Sequence, residues 1–358
     1  MKDNVIKTET KTEVFKCKGC GNNLEFDPNS QMLKCFHCGR VEDFSKSSNV
    51  EELDVLSAFN STEEWGDEAT AYRCENCCAV VVLNKGQTAT RCPYCNTSHV
   101  VLTDEIKGLK PNSVYPFTVD KKVAIEKSKA WAKSRFFAPR KFKKNLNEEN
   151  FTGVYQPAFT FDSNTYSTYV GRIGNRHTRT VGSGKNKRVE TYIVWRSISG
   201  THENFFDDVL INADDSYSQK TLDKISPYDY STIKVYDTEY LSGFMAKRSN
   251  REIEDCWVDA KRVIGGKIRR QILSKYSYDV VDYLNVNTTH ENVTYKYALL
   301  PIYLLNYKYG KKLYSVHVNG NTGKVAGKTP ISWLKVLLTS LLGVLVGALL
   351  FYLIYSNG

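Results

Sequence analysis

The pattern of apolar and polar positions predicts a β-rich middle region. Between residues 150 and 330, runs rich in Tyr, Val, Thr and Phe are separated by Gly, Asn and Asp, which is typical of strands and turns. The predicted strands are 154–161, 166–173, 189–198, 204–211, 294–309 and 312–318. Asn319 and Gly320 open a turn after the last of them, and residues 323–325 return the chain.

Other segments have helical spacing. Residues 120–137 predict a strongly cationic helix, and residues 50–59 predict a short one. Ser249 and Glu252 resemble a capping box ahead of a longer helix. The apolar stripe of that helix is Ile253, Cys256, Trp257, Ala260, Val263, Ile264, Ile268 and Ile272.

The last segment is apolar on every side. Residues 336–355 are twenty positions without a charge, and at about 1.5 Å per residue they span roughly 30 Å, the thickness of a bilayer core. Trp333 stands near the start of this segment, and Tyr352 and Tyr355 stand near its end, as in the aromatic belts of membrane proteins. The sequence therefore predicts a transmembrane helix over 334–355.

The charges around this helix predict its orientation. Lys324, Lys328 and Lys335 precede it, and the tail 356–358 is uncharged, so the N-terminal bulk is expected in the cytoplasm of a single-pass protein of the cell membrane. The polar tail 1–14 has no apolar segment of a secretory signal. Gly343 and Gly347 have the spacing that lets two helices approach closely, which would permit homo- or hetero-oligomers.

Composition and charge narrow the classes of partner. The 358 residues are 41% hydrophobic and 25% charged, a globular balance that argues against wholesale disorder. The net charge of +10 favours an acidic partner. Twelve Lys and Arg lie in 107–144 against two acids. A second basic cluster is formed by Arg172, Arg176, Arg179, Lys185, Lys187 and Arg188. These clusters are open to three interpretations: a solvated surface, an anionic lipid contact or a nucleic-acid contact.

The cysteines form an internal repeat with the spacing of metal ligands. Four C-x-x-C pairs fall into two sets related by a shift of 57 residues, with fourteen residues between the inner cysteines of each set. The two sets are Cys17, Cys20, Cys35 and Cys38, and Cys74, Cys77, Cys92 and Cys95. Two such pairs place four thiolates around one tetrahedral Zn²⁺, so two zinc ribbons are predicted, each holding one structural ion.

Alternative roles for these cysteines have less support from the sequence. A redox dithiol normally stands as a single C-x-x-C beside a βαβ pattern, which is absent here, and an iron–sulfur cluster remains the other alternative. Four thiolates leave no open coordination position, so the predicted sites are structural rather than catalytic. Cys78 is expected to be a bystander, His37 an unneeded ligand and Cys256 a buried core residue.

These segments predict a multidomain, mostly β (α+β) protein. It would consist of two small zinc ribbons with four cysteine ligands each, a β-rich domain with a long helix and one C-terminal transmembrane helix. The predicted boundaries are 1–14 for the tail, 15–40 and 71–102 for the ribbons, 41–70 for an acidic linker, 110–330 for the β-rich domain, 334–355 for the membrane helix and 356–358 for the final tail.

Motifs of known enzyme classes are missing from the sequence. The segment 182–185 lacks the spacing of a phosphate-binding loop, and the segment 323–329 is one residue too short for it. The six histidines are scattered without a paired pattern. We therefore expect a non-enzymatic protein with no catalytic residues. The alternative is an enzyme whose site is assembled from distant residues of the 110–330 domain.

The arrangement of motifs resembles one set of bacterial proteins. The segments that carry the resemblance are Cys17–Gly21, Cys35–Gly39, Gly153–Pro157, Leu300–Ile302 and Val318–Lys324. Together with the C-terminal span they resemble the bacterial TFIIB-type zinc-ribbon membrane proteins, whose frequent primosomal or helicase-like labels rest on the ribbons alone. The sequence departs from the ribbon pattern at Cys78 and Asn96, where a glycine is usual.

The resemblance implies a role at the bacterial envelope, alongside phage-shock-A-type and flotillin-like (SPFH) proteins. The leading hypothesis is a cytoplasm-facing membrane scaffold, connected with envelope stress, whose ribbons dock a cytosolic or membrane-associated protein. The alternative is a membrane-tethered nucleic-acid-binding protein that acts through ribbons and basic patches. The terminal anchor favours the first, because a freely searching DNA-binding protein does not need one.

Overall fold

The computed structural model of the chain describes residues 15–44, 47–59, 69–74, 80–84, 100–103, 109–144, 146, 151–310 and 312–356. Within them the fold is mostly β-sheet with a few helices, as predicted. The strands are β1 Glu25–Asp27, β2 Met32–Lys34, β3 Val41–Glu42, β4 Leu53–Asp54, β5 Ala69–Cys74, β6 Val80–Asn84, β7 Val100–Thr103, β8 Ser113–Val114, β9 Phe151–Val181, β10 Arg188–Asn212, β11 Lys234–Val235, β12 Met245–Lys247, β13 Val280–Tyr309, β14 Lys312–Asn319 and β15 Val325–Gly327. The helices are α1 Val55–Ala58, α2 Lys121–Lys133, α3 Arg140–Lys144, α4 Gln219–Ile225, α5 Ile253–Ser274 and α6 Trp333–Ser356.

Three long strands form the frame of the molecule. β9, β10 and β13 have 31, 25 and 30 residues, and β9 lies between the other two in antiparallel register. The separate strands predicted at 154–161 and 166–173 are therefore one strand, as are those at 189–198 and 204–211. Gly171 lies where the three strands pack closely, since a Cβ there would approach a methyl of Leu284 to 2.8 Å.

Shorter strands complete a sheet of twelve strands in the described part of the chain. β8 pairs in parallel with β13, and β12 pairs in parallel with β9. β14 pairs with the end of β13 and turns back through the predicted hairpin into β15. Gly323 adopts φ +74° in this hairpin, a conformation that favours glycine.

The long helix α5 covers one face of the three-stranded frame. Its buried residues are Ile253, Cys256, Trp257, Ala260, Ile264, Ile268 and Ile272. This confirms the predicted stripe except for Val263, which is 38% exposed. The capping-box prediction is wrong. Glu252 is itself the N-cap of α5, and the Ser249 hydroxyl donates to the carbonyl oxygen of Ala213, 2.9 Å away.

The first cysteine segment forms its own three-stranded sheet, β1–β2–β3, which packs on the β-rich domain. The N–H of Phe26 donates to the carbonyl of Ser242 over 2.9 Å, and the Ser242 hydroxyl donates to the carbonyl of Leu24 over 2.7 Å. The rings of Phe26 and Tyr240 lie 5.3 Å apart. Leu24 and Phe26 are buried in the same apolar core as the long strands.

The acidic segment between the two cysteine sets also contacts the sheet. Its predicted helix at 50–59 is confirmed as the shorter α1, capped by Asp54, whose carboxylate accepts from the N–H of Leu56 over 2.8 Å. Immediately before it, β4 pairs with β13. This part of the segment is therefore held against the β-rich domain.

α2 and the C-terminal helix also match the predictions. α2 begins after the N-cap Asp120, whose carboxylate accepts backbone N–H groups of the first turn, and it ends at Lys133, four residues before the predicted end. In α6, the 22 residues Trp333–Ile354 have a mean hydropathy of 2.5, and none of them is buried. α6 is therefore long and apolar enough to cross a membrane.

Candidate metal centre

Two knuckles of the same backbone geometry carry the first four cysteines. In each knuckle the N–H of the glycine four residues after the first cysteine donates to that cysteine's carbonyl over 2.9 Å, in the pairs Gly21 with Cys17 and Gly39 with Cys35. Both glycines adopt positive φ, +73° and +77°, which residues with a Cβ rarely adopt. The C-x-x-C-G pattern is thus a tight turn that aims both sulfurs inward.

The predicted turn 27–30 brings the two knuckles together. Asp27 accepts the N–H of Asn29 and the hydroxyl of Ser30, which closes the hairpin between β1 and β2. This hairpin places the second knuckle beside the first.

The four sulfurs form a compact cluster. The Sγ atoms of Cys17 and Cys38 lie 3.5 Å apart, as do those of Cys20 and Cys35. All four Sγ atoms lie within 4.8 Å of one another. Four sulfurs at 2.3 Å around one tetrahedral zinc would be about 3.8 Å apart. The cluster is therefore placed to hold one metal ion.

Hydrogen bonds in the cluster shift the pKa values of the thiols in opposite directions. The N–H groups of Cys38 and His37 lower the pKa of the Cys35 thiol to about 6. The N–H of Arg40 lowers the pKa of Cys38, but the sulfurs of Cys17 and Cys20 outweigh it and raise that pKa to about 12. Backbone N–H groups thus favour the thiolate form of Cys35, whereas hydrogen bonds to the neighbouring sulfurs favour the protonated form of Cys38.

Two of the four cysteines face solvent. Cys17 and Cys35 are buried, whereas Cys20 and Cys38 are exposed. The inner pair is fixed by the core of the β-rich domain, and the outer pair lies on the free surface of the knuckles. Phe36, between the two cysteines of the second knuckle, is 64% exposed.

The structure confirms the prediction for Cys256 but describes only part of the second cysteine set. Cys256 is buried on α5, as predicted, and burial raises the pKa of its thiol to about 12. Of the second set, the backbone of Cys74 lies at the end of β5, and Cys77, Cys92 and Cys95 lie outside the described residues together with Cys78. The second ribbon stays a prediction.

Comparison with known proteins gives one informative relationship. No family model matches the chain, and no solved structure matches it. The chain is 31% identical over 324 residues to a Bacillus subtilis (strain 168) protein described as "Uncharacterized protein YdjG", covering 90% of this chain and 91% of the relative. The chain belongs to the YdjG family. The shared segment covers most of the chain, including the three long strands β9, β10 and β13.

A second cluster of this YdjG-family chain was not predicted from the sequence. The ammonium of Lys296 lies 2.8 Å from a carboxylate oxygen of Glu52, 2.9 Å from one of Asp208 and 3.7 Å from one of Asp162. Asp162, Asp207 and Asp208 also lie close enough together to offer oxygens to one ion. The lysine already supplies a cation at this place, so the cluster is an ion-pair hub that joins the acidic segment to β9, β10 and β13.

Replacing Lys296 by Met is expected to lower the free energy of unfolding by about 3 kcal/mol, because it leaves several carboxylates without their cation. Burial raises the pKa of Asp162 from 3.8 to about 7, so its contribution to stability is greatest at low pH and is lost as the pH rises through 7. At pH 5 the Asp162 carboxyl is protonated and does not need the lysine, whereas at pH 8 it is ionised. The loss of stability in the variant should therefore be larger at pH 8 than at pH 5. Thermal unfolding in detergent at the two pH values measures it. Equal losses at both would contradict this assignment.

Proposed function

We propose that this YdjG-family protein is a non-enzymatic, membrane-anchored adaptor. Its cysteine ribbons bind structural zinc and recruit a protein partner to the cytoplasmic face of the bacterial membrane. The single observation that carries the proposal is the two-sided position of the first cysteine cluster. One side is built into the core of the β-rich domain, and the other side presents the knuckles to solvent.

The zinc assignment rests on ligand chemistry. Four thiolates in a tetrahedral cluster are typical of structural zinc sites, and soft sulfur ligands select against Mg²⁺ and Ca²⁺. Since no coordination position is left open, the ion would stabilise the fold rather than act on a substrate.

The partner surface is proposed around Phe36. The ammonium of Lys34 lies 5.6 Å from the centre of the Phe36 ring. A cleft of about 530 Å³ begins beside this ring and has Phe26 and Phe244 among its lining residues. Exposed aromatic rings next to a cleft are the usual anchor points of protein–protein interfaces. The cleft lies at the junction of ribbon and domain, so its shape depends on the metal-bound ribbon.

The proposed orientation of the chain relative to the membrane depends on α6. In the proposed topology α6 crosses the cell membrane once, and the ribbons lie in the cytoplasm, where cysteines remain reduced and available to zinc. The resemblance to zinc-ribbon membrane proteins favours a phage-shock-A-type or flotillin-like protein as the partner.

Binding of nucleic acid is the alternative function. The basic hairpin of β9 and β10 would be its site, but the hairpin supports this function only weakly. Several of its cations already have partners: Arg179 and Arg188 pair with Glu190, and Arg172 pairs with Asp282. A nucleic-acid site would leave more of these guanidinium groups free for phosphates.

Affinity purification of the full chain from detergent-solubilised membranes tests the proposal. Replacing Phe36 by Ser should greatly reduce capture of a phage-shock-A-type or flotillin-like partner while the zinc content is unchanged, because Phe36 is exposed and is not a ligand. Phe205 is a matched control, since it is 55% exposed on β10, and Phe205→Ser should retain the partner. Equal capture by both variants, or capture of nuclease-sensitive DNA or RNA alone, would refute the adaptor role.

A further inference from the structure

The corner between α2 and α3 is fixed to the first turn of α6. The ammonium of Lys335 donates to the carbonyl oxygens of Phe136 and Ala138, each over 2.8 Å. The N–H of Ser332 donates to the carbonyl of Phe137, also over 2.8 Å. These three hydrogen bonds join residues about two hundred positions apart in the sequence. The corner cannot move away from the start of α6 without breaking them.

This corner presents apolar rings to solvent. Phe136 is 61% exposed and Phe137 is 43% exposed, and their rings contact each other edge to face at 5.2 Å. The residues that follow are anchored in the core: Ala138 and Phe142 are buried, and the ring of Phe142 lies 5.3 Å from that of Tyr307. The two exposed rings are thus held outward by a rigid base.

Cations surround the two rings. The residues from 127 to 144 contain eight Lys and Arg and no acid. Lys133, Arg135, Arg140, Lys141 and Lys144 are exposed. Partial burial together with the nearby charge of Lys335 lowers the pKa of Lys143, as expected where like charges crowd. Such crowding has a cost unless an anionic surface lies nearby.

The position of α6 determines which surface that is. Lys335 directly precedes the uncharged segment 336–355 of α6, and the nearby Trp333 is 80% exposed. If α6 crosses a bilayer, Lys335 and Trp333 lie at the depth of the lipid headgroups. The α2–α3 corner, bonded to Lys335, then lies at that same depth.

We propose that the α2–α3 corner, residues 133–144, is an interfacial membrane contact in which Phe136 and Phe137 enter the headgroup region and the surrounding cations bind anionic phospholipid. Apolar rings flanked by Lys and Arg are the typical composition of segments that lie in the membrane interface. The contact would fix the orientation of the β-rich domain relative to the bilayer. It thus goes beyond the adaptor role and rests only on the part of that proposal in which α6 spans the membrane.

Site-specific photo-crosslinking of the full chain tests this contact. Phe136 is replaced by p-benzoylphenylalanine, and the protein is reconstituted into vesicles of equal parts phosphatidylcholine and phosphatidylglycerol. Phe205 replaced in the same way is the control, because it is an equally exposed Phe that shares a pocket with Glu203 and Glu291. Leu345 replaced in the same way reports whether α6 itself is in the bilayer.

The expected result is a lipid adduct at 136 and none at 205, with phosphatidylglycerol adducts about fivefold in excess, the factor that corresponds to about 1 kcal/mol. The triple variant Arg140→Gln, Lys141→Gln, Lys144→Gln should return that ratio to one. No lipid adduct at 136, or a ratio of one before neutralisation, while 345 still gives lipid adducts, would overturn the proposal and leave the membrane span standing. An absence of lipid adducts at 345 would overturn the membrane span, and the corner contact with it.

Discussion

Replacing Cys20 by Ser is expected to remove one bound zinc ion and to unfold the first ribbon. Three thiolates cannot complete the tetrahedral set, and in small zinc ribbons about 10–16 kcal/mol of metal-binding free energy is folding free energy. Since Cys20 is exposed, the substitution itself removes little packing. Nearly all of the effect should come from the metal.

Hydrogen exchange together with zinc analysis measures this result. Residues 15–44 should lose protection, including the N–H of Phe26 that donates to Ser242. Because β1 and β2 share an apolar core with the β-rich domain, that domain should lose some stability but stay folded. Cys256→Ser is the matched control, because it changes a cysteine outside the cluster and should keep the full zinc content. If Cys20→Ser also kept it, the ligand assignment would be wrong.

Deleting residues 333–358 is expected to release the protein from membranes treated with alkaline carbonate, whereas the full chain stays in the pellet. The deletion removes an apolar helix of mean hydropathy 2.5, none of whose residues is buried in the described structure. Sedimentation followed by immunodetection measures the distribution.

The pH and the salt concentration distinguish the two proposed membrane contacts, α6 and the α2–α3 corner, in this experiment. At neutral pH and low salt, the basic α2–α3 corner should retain part of the truncated chain on anionic vesicles, and salt should release it. Leu345→Ala preserves an apolar helix and should behave as the full chain does. A full chain that carbonate extracts completely would contradict the membrane span.

Local signals in the sequence predicted several parts of the structure. The C-x-x-C spacing and the turn at 27–30 depend on residues close in sequence, and both appear in the first ribbon. The stripe of α5 and the hydropathy of α6 are likewise properties of one continuous segment. Such signals need no knowledge of the tertiary fold.

The long strands were predicted only in pieces. Asp162 and Asn164 interrupt the apolar pattern of β9, and both are typical of turns. In the structure they continue the strand, because β10 and β13 pair with it on both sides, and Asp162 also lies near Lys296. Pairing between strands distant in sequence thus overrides local propensity.

Long-range polar contacts gave no sequence signal at all. The Lys296 hub joins Glu52 to residues more than one hundred positions later, and Lys335 bonds to a corner about two hundred positions earlier. Each is one ordinary charged residue among many in the sequence. Charge clustering in 107–144 indicated a basic surface, but only the fold places that surface beside α6.

The most direct test of the account is zinc X-ray absorption of the full chain carrying Cys77→Ser and Cys95→Ser, which leaves the first cluster as the only complete set of four. We predict one equivalent of zinc with four sulfur ligands at about 2.3 Å. Adding Cys20→Ser should abolish this signal. Zinc bound through nitrogen or oxygen, or no bound metal in the variant that retains Cys17, Cys20, Cys35 and Cys38, would contradict the central claim.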